Sequence, residues 1–274
     1  MLEIKKINIF LSRLFGAFIL VSMLLYSVVV LAEEQIGEAK GFSFNIPDAQ
    51  GNKKATIAGD SAQFLPNGIV ELNNVLAVFH RQDKVEIKTQ KAFFDKEKNQ
   101  VYTDNFVEVE AANLKVSGTG AKWNPQSEEI EIQKNVKILL KNGTVVTSDS
   151  QMTVDYDKKV AYLTKNVVIE TKGGKLLSDK AEVYFSDIEG GVKRVKAIGS
   201  VKILYEGKNS TSEIAEYFTK NEKLVLTGNP QIRKGKNLYT AEKIVIFSKE
   251  NRVEFKPKAK LIISYDKQNK NQQK

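Results

Sequence analysis

Val116 to Gly143 reads VSGTGAKWNPQSEEIEIQKNVKILLKNG, and Val146 to Gly174 reads VTSDSQMTVDYDKKVAYLTKNVVIETKGG. Both end on Lys-Asn-Val followed by an alternating apolar/polar run and a turn. A third copy, LLSDKAEVYFSDIEGGVKRVKAIGSVKILYEGK, runs from Leu176 to Lys208, and looser ones start near Ile57, Glu86, Thr211 and Tyr239. The equivalent position falls at Asn74, Asn105, Asn135, Asn166, Ser200, Asn229 and Lys258, a period of roughly 30 residues. In most copies a small residue (Ala62, Ala92, Ala121, Ala181, Ala215) leads to an aromatic: Phe64, Phe94, Trp123, Phe185, Tyr217.

Alternation such as Val107-Glu108-Val109-Glu110, Val136-Lys137-Ile138 and Val201-Lys202-Ile203 marks strands with one buried face. No stretch after about residue 42 keeps a helical period. Turn signals at Asn73-Asn74, Asp104-Asn105, Lys134-Asn135, Asn142-Gly143, Lys165-Asn166, Gly173-Gly174, Gly190-Gly191 and Gly228-Asn229 divide each copy into about three short strands. One copy cannot bury its apolar stripe alone, so neighbours must stack and share a core. Roughly twenty strands exceed what a flat sheet sustains, so the sheet must fold over on itself. The expected fold is all-β: an elongated antiparallel β-jellyroll, an open, folded-over sheet of about seven three-strand repeats over residues 42–266. The tail at 267–274 (KQNKNQQK) is polar and expected to be disordered.

Ahead of this body, Leu14 to Ala32 runs nineteen residues without a charge, close to the roughly 20 that span a bilayer as a helix. Lys5, Lys6 and Arg13 precede it and Glu33, Glu34 and Glu38 follow. That asymmetry keeps residues 1–13 in the cytoplasm and exports the rest. Two readings stay open: a retained transmembrane anchor, or a signal peptide cleaved after Val30-Leu31-Ala32.

Composition excludes much chemistry. The 274 residues include no cysteine and one histidine, which removes thiol nucleophiles, Cys-ligated metals and multi-histidine metal sites. No catalytic residue, metal site or cofactor is expected, and the lone His80 reads as an exposed strand residue. Asp149, Asp155, Asp157 and Asp179 fall at repeat turns, where Asp commonly bonds its own backbone, so calcium binding and glycoside hydrolysis are not inferred. The net charge of +9 is spread along strands rather than clustered, which disfavours nucleic acid as a partner.

The phrases Leu72-Asn73-Asn74-Val75, Asn135-Val136-Lys137-Ile138, Asn166-Val167-Val168-Ile169 and Leu226-Thr227-Gly228-Asn229-Pro230-Gln231-Ile232 resemble the L-x-G-N-V-x-V phrases of LptA and OstA-type lipopolysaccharide-transport domains. The N-terminal half, an anchor followed by alternating strands, resembles LptC; residues from about 1 to 175 fit that pattern and about 145 to 265 fit LptA. Pro230 departs from it, standing where the phrase wants Val. The resemblance implies an inner-membrane, single-pass protein with its body in the periplasm. It also implies an apolar groove that receives the lipid A acyl chains of lipopolysaccharide from an ABC transporter. The periplasmic domains of that transporter would dock at the N-terminal edge. An LptA-like or outer-membrane β-jellyroll would pair at the C-terminal edge. Exposed sheet edges are physical templates for such pairing.

On the alternating pattern, Val75, Phe79, Ile87, Val107, Val109, Val136, Ile138, Val167, Ile169, Val201, Ile203 and Ile232 share one face, joined by Trp123, Phe185 and Tyr217. They line either a lipid groove or a dry core between two sheets. Lys134, Lys137, Lys165, Lys202 and Arg233 recur beside them and are candidates to meet lipid phosphates, the plainer role being edge protection. The alternatives to a lipid bridge are a membrane-tethered structural β-solenoid with a closed core, and an outer-membrane barrel. The short strands and charged tail disfavour the barrel.

Overall fold

The computed structural model describes residues 37–263, apart from 48–50, 52, 66–67, 81–83, 99, 112–113, 125–128, 156–157 and 186–191. The apolar segment at 14–32, its cleavage point and the tail at 267–274 lie outside the described residues. No helix among the described residues is long and apolar enough to cross a membrane. Nearly all that is described is antiparallel β-strand, and the chain divides into two compact units, Met1–Gln133 and Lys134–Lys274.

The first unit is a meander. Strands β1 (Glu38–Pro47), β2 (Lys53–Phe64), β3 (Ile69–Phe79), β4 (Val85–Asp95), β5 (Gln100–Ala111) and β6 (Leu114–Asn124) each pair with the next. β7 (Glu129–Leu140) contains the division, and its second half pairs with β8 (Val145–Ser148). In the second unit β10 (Val160–Glu170) pairs with β8, with β9 (Met152–Asp155) and with β11 (Gly174–Phe185). β12 (Val192–Tyr205) and β13 (Lys208–Phe218) follow. β13 then pairs by its two halves with β14 (Lys223–Thr227) and β15 (Gln231–Lys234). β16 (Asn237–Thr240) joins β15, and β17 (Lys243–Phe247) joins β14. β18 (Arg252–Lys256) and β19 (Lys260–Ile262) close the series on β17 and β16.

Apart from β8 and β9, the repeats up to β13 are thus built of long bent strands rather than three short ones, and β14 to β19 are three to five residues each. β10 has 11 residues and β11 has 12. The expected turns at Asn142-Gly143 and Gly173-Gly174 are true chain reversals, with Gly143 N–H donating to Leu140 O at 2.9 Å and Thr171 N–H to Gly174 O at 2.9 Å. The steps at Asn74, Asn135, Asn166 and Ser200 are bends within one strand, and those at Asn229 and Lys258 join two short strands that run on from one another. Asn74, Asn135, Asn166, Ser200, Asn229 and Lys258 all have φ between 47° and 54°, the left-handed region in which Asn is enriched and most side chains are not. Such a residue turns the strand while its neighbours keep their cross-strand pairing. Lys165, Gly199 and Gly228, the residues just before three of these, are left-handed as well. This gives the repeated phrase a physical meaning: two residues tolerant of positive φ, flanked by residues that must be buried. Leu163 and Val167 flank one bend at 1% and 0% exposure, and Leu226 and the fully buried Pro230 flank another. Pro230 therefore lies at the bend, between β14 and β15, where its missing N–H interrupts no ladder.

A side chain from the neighbouring segment fastens four of these bends. Asn74 Nδ2 donates to Asp60 Oδ2 at 2.6 Å, Asn166 Nδ2 to Asp149 Oδ2 at 2.7 Å and Ser200 Oγ to Asp179 Oδ2 at 3.0 Å, while Lys258 pairs with Glu242 at 2.5 Å. Asp149 and Asp179 thus hold a neighbouring strand rather than their own turn, a correction to the sequence reading. Asp155 does cap its own turn, accepting from Lys158 N at 2.9 Å and Lys158 Nζ at 2.6 Å; Asp157 lies outside the described residues. Asn105 is the other correction, because it is not among the left-handed residues. The buried pair that frames this bend is Thr103 and Val107, which puts Phe106 where other copies have Asn. Hydroxyls hold the strand instead: Thr89 Oγ1 donates to Phe106 O at 3.0 Å and Thr103 Oγ1 donates to Lys91 O.

Asn166 offers a direct test. Replacement by Ala should lower stability by about 1–2 kcal/mol, through the left-handed backbone and the lost bond to Asp149. Replacement by Gly should recover roughly half of that, since only the bond is lost. Urea denaturation of the two variants measures the difference; equal losses would mean that the backbone conformation is not what Asn supplies.

The cores sit against the inner side of the bends. In the first unit Ile57, Ala62, Leu72, Val75 and Ala92 form a cluster, backed by Phe42, Phe44, Val70, Ala77, Val101 and Trp123. In the second, Ala197, Val201, Ala215, Leu226, Ile232 and Ile244 cluster, backed among others by Leu176, Ile203, Leu224 and Tyr239. Residues from both sides of a bend (Ala197 and Val201, Leu226 and Ile232) enter one cluster, so the two arms of each bent strand face a common interior. The outer side of one arm carries an alternating row, Tyr184–Arg194–Phe218–Lys223–Phe247–Arg252, in cross-strand register. Cations lie over rings at 3.9 Å (Arg194 on Tyr184), 4.7 Å (Lys223 on Phe218) and 4.0 Å (Arg252 on Phe247). Each such contact contributes about 0.5–1 kcal/mol at exposed sites.

Candidate functional site

The inner face of the second unit is built by strand alternation counted outward from the bends. Immediately beyond them lie Val136, Val167 and Val201, at 1%, 0% and 1% exposure, with the buried Ser148, Ser178 and Ser212 on the strands between. One step further, cross-strand register sets Ile138, Val146, Ile169, Leu176, Ile203, Ser210, Ile232 and Tyr239 in a single row. Ile138, Val146 and Ile232 are buried there, and Ile169, Leu176, Ile203 and Tyr239 are half-buried. The last inward row before the chain reversals is Gly174, Tyr205, Lys208, Lys234 and Asn237. Along β12 exposure rises from Val201 at 1%, through half-buried Ile203, to Tyr205 at 46%. The interior is closed at the bend and opens towards the strand ends.

The facing arm repeats the gradient. Leu163, Ala181, Ala197, Ala215, Leu226 and Ile244 form its buried row beside the bend. One step out, Val195, Tyr217, Leu224 and Ile246 are half-buried, while Ala161 and Val183 in the same row remain buried. Burial raises the pKa of the Tyr217 phenol, with smaller contributions from Glu222 and Tyr205. Phe185 lies at the outer end of β11, half-buried.

In the first unit Val75 and Val107 sit just past bends and are buried, while Ile87 and Val109 are half-buried cross-strand partners. Phe79 and Trp123 meet edge-on, ring centroids 5.7 Å apart, a favoured aromatic geometry.

The basic candidates do not gather on the inner face. Lys137 and Lys202 alternate with the inward residues Val136, Ile138, Val201 and Ile203 and so point outward, in the row Lys137–Thr147–Val168–Leu177–Lys202. Arg233 points outward between Ile232 and Lys234, and Lys134 and Lys165 stand exposed beside the bends. The inward row holds Lys208 and Lys234 instead, which sequence reading passed over. Counting alternate residues from Val201 through Ile203 and Tyr205, and across the two-residue turn, would have found Lys208. His80 is exposed, with Nε2 2.9 Å from Thr56 Oγ1. No group of three or more His, Asp or Glu that could hold a metal is present among the described residues.

Residues 43–141 match the family described as lipopolysaccharide-assembly, LptC-related, and residues 145–252 match the LptA/LptD N-terminal domain family of LPS transport proteins. No curated protein matches the chain. Among solved structures it is similar to LptH of Pseudomonas aeruginosa, described as the LptA-homologous periplasmic component of the lipopolysaccharide transport device. The two are 17% identical, with a TM-score of 0.40 over 44% of this chain and 95% of that one. The chain thus carries an LptC-related segment followed by an LptA-like one, both of them families of lipopolysaccharide-transport proteins, which are transport components and not enzymes.

Proposed function

We propose that this protein carries lipopolysaccharide along its inner face, as an inner-membrane-anchored periplasmic component that receives the lipid from an ABC transporter and passes it toward the outer membrane. One observation carries the reading: the inner face of the second unit is apolar across successive strands, sealed at the bends and progressively exposed towards the strand ends. Acyl chains need a continuous apolar surface with an open side, and a wholly dry core would have no reason to leave Ile169, Ile203 and Tyr239 half-covered. Contacts with lipid are assigned to Ile169, Ile203, Tyr217 and Phe185, the partly exposed members of the inward set. The buried Val136, Val167 and Val201 form the floor.

Partners would dock by strand pairing at the ends of the series. Among the described residues β1 pairs only with β2, and β18 and β19 pair only with β17 and β16. The last strand exposes Leu261 and Ile262 at 52% and 55%, an edge suited to an added strand. The N-terminal edge is assigned to the transporter and the C-terminal edge to the next β-jellyroll.

Photo-crosslinking in cells tests the cargo. A crosslinker at Ile203 or Ile169 should capture lipopolysaccharide, and one at the outward Lys202 or Val168 should not. Capture at outward positions alone would sink the groove. The first unit admits a second reading, because the Phe79–Trp123 contact brings its inner residues together. A crosslinker at Trp123 that stays silent while Ile203 captures lipid would assign that part of the chain a closed structural core.

A further inference from the structure

The inward row nearest the strand ends differs chemically from those beneath it. Register places Gly174, Tyr205, Lys208, Lys234 and Asn237 side by side on successive strands. The Tyr205 ring lies over Gly173 and Gly174. A Cβ on Gly173 would meet Tyr205 Cε2 at 2.8 Å, and one on Gly174 would meet Tyr205 Cδ2 at 3.0 Å. Glycine therefore leaves room for the ring at 173 and for both the ring and the Leu204 carbonyl at 174, while Tyr205 remains 46% exposed. A hydrogen bond to the Glu206 carboxylate raises the phenol pKa, so the ring stays neutral.

Next to this residue two lysines, Lys208 and Lys234, are directly opposed in cross-strand register, and like charges so placed are destabilising when nothing neutralises them. Neighbouring lysines are closely paired: Lys175 meets Glu170 at 2.7 Å. Lys208 reaches only Glu206, at 3.9 Å, and Lys234 has no ion pair among the described residues. Below Lys208 on the same strand, the inward column continues as Ser210 and Ser212. Ser212 Oγ is buried without a hydrogen-bond partner among the described residues. Buried hydroxyls ordinarily find partners. A polar column from two lysines that share one long ion pair to an unpartnered hydroxyl, set between the apolar columns of β12 and β15, is the complement of an amphiphile with an anionic head.

Resting on the carrier reading above, we propose that this row is the head-group site: Lys208 and Lys234 hold the phosphate of a phosphorylated sugar head, Tyr205 stacks on the sugar ring, and the attached chains run inward over Ile203 and Ile232. The five lysine and arginine positions that sequence periodicity singled out take no part. Lys and phosphate interact here as charge-assisted hydrogen bonds, and a partly exposed aromatic ring beside them suits the apolar face of a sugar.

The test uses the full chain and three immobilised probes: lipopolysaccharide, the same lipopolysaccharide stripped of phosphate, and phosphatidylglycerol. Lys208→Gln with Lys234→Gln should weaken binding of the phosphorylated form about tenfold to a hundredfold, the loss expected for two charge-assisted contacts. The same variant should bind the stripped form as the wild type does. The outward control, Lys137→Gln with Lys202→Gln, should change neither. Tyr205→Ala should weaken lipopolysaccharide but leave phosphatidylglycerol untouched. If the wild type binds no lipopolysaccharide, the carrier reading falls and this site with it. If the wild type binds but the rim and outward pairs behave alike, only the site is overturned. Equal, rim-dependent retention of phosphatidylglycerol would overturn the sugar assignment in favour of any anionic phospholipid.

Discussion

Replacing Leu226 by Ala should lower stability by about 3–5 kcal/mol, the upper part of the range for leucine truncation in a core. Leu226 is fully buried and sits at the bend between β14 and β15, in one cluster with Ala197, Ala215 and Ile244. Its register partners are Ala215 on one side and Ile244 on the other. With alanine beside it, Leu226 supplies volume that no neighbour can replace, and ladders on both flanks keep the strand from closing the gap. The cavity should therefore remain and add its own term to the lost transfer energy. Urea denaturation checks the effect as a fall in midpoint without a change in slope. Leu204→Ala, on the outer face at 47% exposure, should lose less than about 1 kcal/mol. Similar losses at both sites would mean that the interior beside the bend is not the core.

Gly228→Ala should be nearly as damaging, and comparison with Gly207→Ala isolates the reason. The two glycines have almost the same left-handed backbone, φ +72° and +73°. An added Cβ at Gly207 meets nothing within 4 Å, whereas at Gly228 it would fall 2.5 Å from Glu213 Cβ. Glu213 cannot retreat easily, because its N–H donates to Gly228 O at 2.9 Å. Gly207→Ala should thus lose about 1 kcal/mol for conformation alone. Gly228→Ala should lose roughly 2–4 kcal/mol, conformation plus the displacement of one strand from its neighbour. Equal thermal midpoints for the two variants would refute the idea that close strand approach fixes glycine at the bend.

Much of this was legible in the chain before any geometry. Repetition of Lys-Asn-Val and its variants located six of the bends, because only a few residue types tolerate positive φ. Alternation then placed Val136, Ile138, Val201 and Ile203 on one face. What alternation could not convey was that Asn166 lies inside a strand. A polar pair between two apolar runs looks the same whether the chain reverses or bends, and only cross-strand register tells them apart. The same limit misplaced the cations. Lys137 and Lys202 drew notice by recurring beside the valines, yet recurrence one residue from a buried position points a side chain away from the interior. Lys208 follows one turn and Lys234 precedes another, so no local period links them. Asn105 was misaligned by one residue because Phe106 occupies a position that is polar in the other copies.

The meander has a consequence for how the chain acquires its structure. Within each unit every strand from β1 to β6, and again from β10 to β13, pairs with its immediate successor. Contacts therefore join residues close in sequence, and loop-closure entropy stays small for an all-β protein. Each hairpin can form as soon as its second strand is available and then serve as template for the next. A chain delivered N-terminus first could order itself strand by strand, leaving only its first and its newest edge unpaired at any moment and little β-surface free for wrong partners.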